Sequence, residues 1–298
     1  MSGKISLQRH RAIISKLRRS PLNFDQLQDY LQLQSDISGD RLTCSLRTFQ
    51  RDMEQINILY HIEIKYNPSQ KVYEIVYDEN EDHNERLMEA FEVYNALNIA
   101  NTYSNQVIVE KRKPLGTDHL YGLLHAIKNR LQVSFDYEKY SENDSRRRTV
   151  EPIAIKEARN RWYLLAREAE GISVKSFGLD RISELELSHR KFEAIEYDVE
   201  KEYRHSFGII NGIDVSPQNI VLSFTPTEGK YVKSLPLHHS QKLVKETTKE
   251  TVFSYNLIPT YDLRMEILSY GDQVKVIEPE SFREEVKKQL EAALKLYR

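Results

Sequence analysis

This sequence predicts an α+β multidomain chain, and three observations carry the prediction. Its 298 residues exceed one ordinary domain, its apolar residues change period several times along the chain, and those changes fall into three blocks. The first block is helical and ends in a hairpin, the second is a run of short alternating strands, and the third alternates strand with helix. Apolar residues at 40% and charged residues at 30% describe an ordinary folded chain rather than a disordered one. The start MSGKISLQRHRAII has no apolar h-region, and no later window approaches the roughly 18 apolar residues of a membrane span. The expectation is a cytoplasmic protein with no membrane partner. One cysteine, Cys44, can form no internal disulfide and no cysteine-based zinc site, in keeping with a reducing compartment.

In the first helix Leu7, Ile13, Ile14 and Leu17 share a face, with Arg9, Arg11, Lys16 and Arg18 largely on the others. After Pro21, Asn23 is placed to cap a second helix with Gln26 at its N3 position. Leu27 and Leu31 then face inward, and the loop Ser35 to Asp40, with Gly39, closes that helix. Ser45 caps a third helix, about Ser45 to Ile56, in which Leu46, Phe49, Met53 and Ile56 fall within one arc. The period then becomes two: Ile62, Ile64 and Tyr66 alternate, Asn67-Pro68-Ser69-Gln70 turns, and Tyr73, Ile75 and Tyr77 alternate again. Three helices and a hairpin over residues 1–78 make a winged helix-turn-helix.

Residues 79–117 read as a helical linker, with a helix near Glu85 to Tyr103 whose stripe is Leu87, Phe91, Tyr94 and Leu97. Intrachain packing is the default for so short a stripe, and pairing with a second copy is the alternative. The block 118–195 opens with a helix, Asp118 to Asn129, using Leu120, Leu123, Leu124 and Ile127. Strands follow at Val133 to Tyr137, Arg148 to Ile155, Arg161 to Arg167, Ile172 to Leu179 and Ile182 to Leu187, close enough together for a small β-barrel. Residues 196–298 read strand, helix, strand, strand, helix, strand, the ferredoxin-like βαββαβ order. A last helix follows Pro279.

The third helix carries the functional signal. Opposite its apolar arc stand Arg47, Gln50, Arg51 and Glu54, with Thr48 and Gln55 at the margin. Arginine bonds guanine bidentately and glutamine does the same to adenine, so these side chains suit base edges in a major groove. Ser45 and Thr48 near the helix N-terminus suit phosphate oxygens, and Lys65 and Lys71 flank the hairpin turn where a DNA backbone would pass. The competing reading is a solvated helix face; the preceding helices and following hairpin favour DNA. Charge adds little, since the first sixty residues hold nine Lys/Arg against six Asp/Glu. Asp52 and Glu54 on the same helix would repel phosphates unless paired. Cys44, just before the helix, is either a small packed residue or a thiol activated by the helix dipole.

Arg161-Trp162-Tyr163-Leu164-Leu165-Ala166 followed by Phe177-Gly178-Leu179-Asp180-Arg181-Ile182 resembles the signature of WYL-domain transcription regulators. The resemblance covers nearly the whole chain: Val133-Ser134-Phe135-Asp136-Tyr137 and Arg148-Thr149-Val150-Glu151-Pro152 resemble the opening strands. Ser45-Leu46-Arg47-Thr48-Phe49-Gln50-Arg51-Asp52 resembles the recognition helix, and Leu268-Ser269-Tyr270-Gly271 with Val274 to Pro279 the C-terminal extension. It implies an Sm-like barrel in the middle, a ferredoxin-like last domain, a homodimer, and a sensor surface for a nucleic-acid or nucleotide-like effector. The residues themselves place Tyr137, Arg148, Trp162, Tyr163, Lys175 and Arg181 as candidate ligand contacts, an aromatic and basic mixture that suits bases and phosphates. Trp162 and Tyr163 alternate across a strand, so at least one belongs to the core, and Arg181 next to Asp180 also fits a local ion pair. Many family members have arginine at the position of Gly178, and Lys175 is placed to compensate from the same hairpin.

No enzyme is expected: H-E-x-x-H, G-x-S-x-G and the phosphate-cradling G-x-x-x-x-G-K are all missing, and the glycines are scattered. No metal or cofactor is expected either, since the paired His238-His239 would point apart in a strand. The resulting expectation is a regulator of a double-stranded DNA operator, tuned by its sensor domain. The alternative is a single-stranded nucleic-acid-binding maintenance or DNA-damage-response factor tethered to duplex DNA.

Overall fold

The computed structural model describes residues 2–78, 115–140, 144–212 and 215–298, and the chain forms two compact units, Met1–Lys111 and Arg112–Arg298. The expected linker helix at Glu85 to Tyr103 lies outside the described residues. Among the described residues, no helix is long and apolar enough to cross a membrane.

The N-terminal unit packs α1 (Ser2–Arg19), α2 (Phe24–Ser38) and α3 (Leu46–Tyr60) around Ile13, Ile14, Leu27, Leu31, Phe49 and Ile56, all fully buried. Asn23 and Gln26 form the anticipated reciprocal cap on α2: Asn23 Oδ1 accepts from the Gln26 amide at 2.9 Å and Gln26 Oε1 from the Asn23 amide at 3.0 Å. The helix runs on to Ser38, beyond the expected loop start at Ser35. Ser35 Oγ bonds back to the Leu31 carbonyl and so does not break the helix, and Gly39 at φ 74° ends it.

The hairpin β1 (Ile62–Asn67) and β2 (Val72–Asp78) follows α3, and Leu22, between α1 and α2, makes an isolated antiparallel bridge to Tyr73. This is a winged helix-turn-helix. Two apolar assignments fail. Leu46 is 45% exposed because the buried arc of α3 centres on Phe49 and Ile56, which leaves Leu46 at its margin and turns Asp52 inward. Leu7 is likewise exposed, while Arg9, expected on an outer face, is buried because it faces Asp52.

In the second unit a 3₁₀ turn, Thr117–His119, leads into α4 (Leu120–Asn129), where Leu123 and Ala126 pack inward and Leu124 is exposed. Strands β3 (Leu131–Lys139), β4 (Asp144–Ala158), β5 (Arg161–Glu168), β6 (Val174–Gly178) and β7 (Ile182–Lys191) make one antiparallel sheet in the order β6-β5-β4-β3-β7. β4 is far longer than the expected Arg148 to Ile155 because its first half pairs with β3 and its second half, past a register shift between Pro152 and Ala154, with β5. β6 starts only at Val174: Ile172, expected in the strand, is 99% exposed in the turn before it. The curled sheet is the Sm-like small barrel, open between edge strands β6 and β7, which the 3₁₀ turn Leu179–Arg181 connects. Its core is Val133, Phe135, Tyr137, Val150, Leu164, Ala166 and Phe177.

A short helix α5 (Val199–Tyr203) precedes β8 (Gln218–Phe224), α6 (Pro226–Ser234), β9 (Lys242–Glu246), β10 (Thr251–Leu257), α7 (Tyr261–Ser269), β11 (Val274–Glu278) and α8 (Glu280–Lys295). The antiparallel sheet order β11-β8-β10-β9 is that of a ferredoxin-like βαββαβ domain. His238 and His239 sit in the turn after α6 rather than in a strand, so their rings do not point apart but stack 3.9 Å from each other. Burial and the neighbouring histidines push the His238 pKa down to about 4.

Candidate nucleic-acid interface and sensor site

Ser45 begins α3 as its N-cap: Oγ accepts from the Thr48 amide at 3.2 Å, and the two hydroxyls lie 3.0 Å apart. Both hydroxyls thus serve the helix end first. One turn on, Arg47, Gln50, Arg51 and Glu54 are exposed, and among the described residues Arg47, Gln50 and Arg51 have no side-chain hydrogen bond or ion pair of their own. Lys65, on β1, is held by Glu63 at 2.8 Å, beside a groove of about 410 Å³ between α3 and β1 that Gln50, Glu54 and Asn57 also line. Lys71 projects from the wing turn at φ 55°.

Asp52, which would repel phosphates unless paired, is paired. It is 0% exposed, and Arg9 grips it with two hydrogen bonds, Nε to Oδ2 at 2.6 Å and Nη2 to Oδ1 at 3.1 Å. His10 Nε2 adds a contact to Oδ1 at 3.3 Å, and Ser6 joins His10 to Gln55 on the next turn of α3. Burial alone would raise the Asp52 pKa, but the hydrogen bonds from His10 and Arg9 outweigh it and hold it low. A paired carboxylate turned inward repels no phosphate, and it fixes the roll of α3 so that Arg47, Gln50 and Arg51 face outward together. Its i,i+3 relation to Phe49 places Asp52 on the buried side of the helix.

In the barrel, contacts sort the six ligand candidates into groups. Arg148 Nη1 reaches Glu168 Oε1 at 2.8 Å and Lys175 Nζ bonds the other oxygen, so one carboxylate holds two cations. The Lys175 hydrogen bond, with the charges of Lys175 and Arg148, keeps the Glu168 pKa low against the opposing effect of burial. A polar cleft of about 510 Å³ there is lined by Gln132, Arg148, Thr149, Glu168 and Arg190. Arg181 stacks on the Tyr137 ring at 4.9 Å and on Tyr140 at 5.4 Å. Tyr137 itself is core, edge-on to Phe177, and its hydroxyl accepts the buried Gly178 amide at 3.2 Å. Trp162 packs on the barrel core, and Tyr163 takes the other face of β5, where burial raises its pKa.

The suspected local pair of Asp180 with Arg181 is not made: Asp180 Oδ2 pairs with Arg161 at 3.3 Å. Lys175 is tied to Glu168. The space beside Gly178 is taken by Arg181 and Asp180, since a Cβ on Gly178 would lie 3.1 Å from Arg181 Nε and 2.8 Å from Asp180 Oδ1. Glycine at 178 is what lets Arg181 lie over Tyr137. Tyr137→Phe leaves the Gly178 N–H buried without an acceptor and is expected to lower unfolding free energy by about 1–3 kcal/mol; urea unfolding followed by Trp162 fluorescence checks it.

Two domain families match this chain: the WYL domain over residues 118–187 and the WCX domain over 216–294. The chain is therefore a WYL-domain protein with a C-terminal WCX domain. No curated protein matches its sequence. Among solved structures it is similar to proteasome accessory factor B/C (PafBC) of Arthrobacter aurescens, at 18% identity and TM-score 0.38, covering 97% of this chain and 46% of that one. It is also similar to a CRISPR Cas-related protein, at 14% identity and TM-score 0.39, covering 61% of this chain and 52% of that one. The chain spans about half the length of each.

Proposed function

We propose that this chain is a non-enzymatic, cytoplasmic transcription regulator that binds a double-stranded DNA operator through α3 and is tuned by an effector at its WYL domain. The observation that carries the reading is the outward arc Arg47, Gln50 and Arg51, unpaired, on the third helix of a winged helix-turn-helix whose inward carboxylate is neutralised by Arg9. One such unit buries little DNA surface, so the operator is roughly two-fold symmetric and the working form a homodimer. Selection of bound duplexes from a random-sequence library tests this: a recurring palindromic motif supports it, and recovery of no motif contradicts it.

The effector is a nucleic-acid or nucleotide-like anion. A phosphate would compete with Glu168 for Arg148 and Lys175, and a base would compete with Arg181 for the Tyr137 and Tyr140 faces. It shifts DNA affinity only by as much as it prefers one state of the protein over the other. Replacing Arg148 and Arg181 together with alanine is expected to leave basal duplex binding intact and to abolish the change in duplex affinity caused by a single-stranded oligonucleotide. Fluorescence anisotropy reads both, and a variant that still responds like the parent contradicts the assignment.

A further inference from the structure

We propose that the 3₁₀ turn Leu179–Arg181 is a joint that ties the effector site to the chain leading back to the DNA-reading unit, with Gly116 and His119 as the positioning residues that transmit its movement. The inference rests on the effector reading above and specifies how that site is coupled. On one side the turn belongs to the sensor: Arg181 stacks on Tyr137, and the Gly178 amide just before it donates to the Tyr137 hydroxyl at 3.2 Å. On its other side the turn bears on residues 116–119.

Gly116 is buried at φ 70° and its α-carbon lies so close to the turn that an added Cβ would overlap the Leu179 carbonyl and sit 2.8 Å from the Asp180 nitrogen. Backbone there meets backbone, with no side chain between to absorb a shift. Three residues on, His119 Nε2–H donates to the Ile182 carbonyl at 3.1 Å, immediately beyond the turn. These two contacts bracket Arg181. Close-packed groups change between discrete arrangements rather than deforming smoothly, so a ligand that draws Arg181 away from Tyr137 moves residues 116–119 with it. The stretch 116–119 precedes α4 and continues, toward the N-terminus, into the chain that carries the winged helix-turn-helix.

The test uses the full-length chain, a duplex selected from a random library by the parent protein, and a 5′-phosphorylated oligothymidylate as probe. Anisotropy measures affinity for the probe, affinity for the duplex, and the change in duplex affinity when the probe is saturating. In the parent the probe is expected to shift duplex affinity by at least about fivefold. His119→Ala is expected to bind probe and duplex within about threefold of the parent while the shift falls below about twofold. His119→Gln, whose amide N–H still reaches the Ile182 carbonyl, restores the shift, which a general loss of folding would not allow. A His119→Ala variant that responds as fully as the parent overturns the joint while leaving the effector reading standing. A parent whose duplex affinity ignores the probe overturns the effector reading itself, and the joint with it.

Discussion

Replacing Asp52 with alanine is expected to cost the N-terminal unit about 3–5 kcal/mol of unfolding free energy, the largest loss of any single charged residue on α3. The reason is what remains behind. Arg9 has only 8% of its side chain exposed, and without Asp52 its guanidinium is a buried charge with no counterion. Hydrogen exchange at the α1 and α3 amides of the full-length chain measures the loss, and a change under about 1 kcal/mol contradicts the account. Replacing both partners with apolar residues, Arg9→Met with Asp52→Leu, should recover most of the stability, because it removes both charges and not merely one. The pH dependence has a definite sign. The folded-state pKa of Asp52 lies below its unfolded value, so the pair stabilises fully above roughly pH 4 and loses its contribution as pH falls through the folded pKa. Asp52→Asn flattens stability against pH in that acid window and nowhere above it.

Arg51→Ala is expected to weaken binding to the preferred operator by about 1–3 kcal/mol, or about 5–150-fold, with little loss on scrambled duplex. A side chain that reads a base contributes to one sequence, whereas one that only meets phosphate contributes to all. Arg51 is free to do the first: it is exposed on the arc that carries Arg47 and Gln50, and no acidic side chain holds it. Lys65 is a weaker candidate for base reading, since Glu63 already engages it. Its replacement should lower affinity for every duplex alike and reduce the salt dependence, the mark of a phosphate contact.

Most of the architecture was legible because period and punctuation are local. The Asn23–Gln26 cap, the change from helix to hairpin after α3 and the βαββαβ order all follow from residues near one another in the chain. What was hidden depends on partners distant in sequence. Arg9 and Asp52 lie 43 residues apart, so nothing local told a buried ion pair from two solvated charges. Arg181 finds Tyr137 and Arg161 finds Asp180 only once β3, β5 and the turn after β6 come together. The length of β4 likewise depends on its partners β3 and β5 and not on its own residues alone. Gly178 looked like a missing cation; in the folded chain it is the space that Arg181 needs.

Anisotropy titration of the parent and Arg51→Ala, on a selected operator and on its scrambled counterpart at one salt concentration, tests base reading by the outward face of α3. The parent is expected to prefer the operator, and Arg51→Ala to lose most of that preference while keeping its affinity for the scrambled duplex. Equal affinity of the parent and Arg51→Ala for the operator would contradict it.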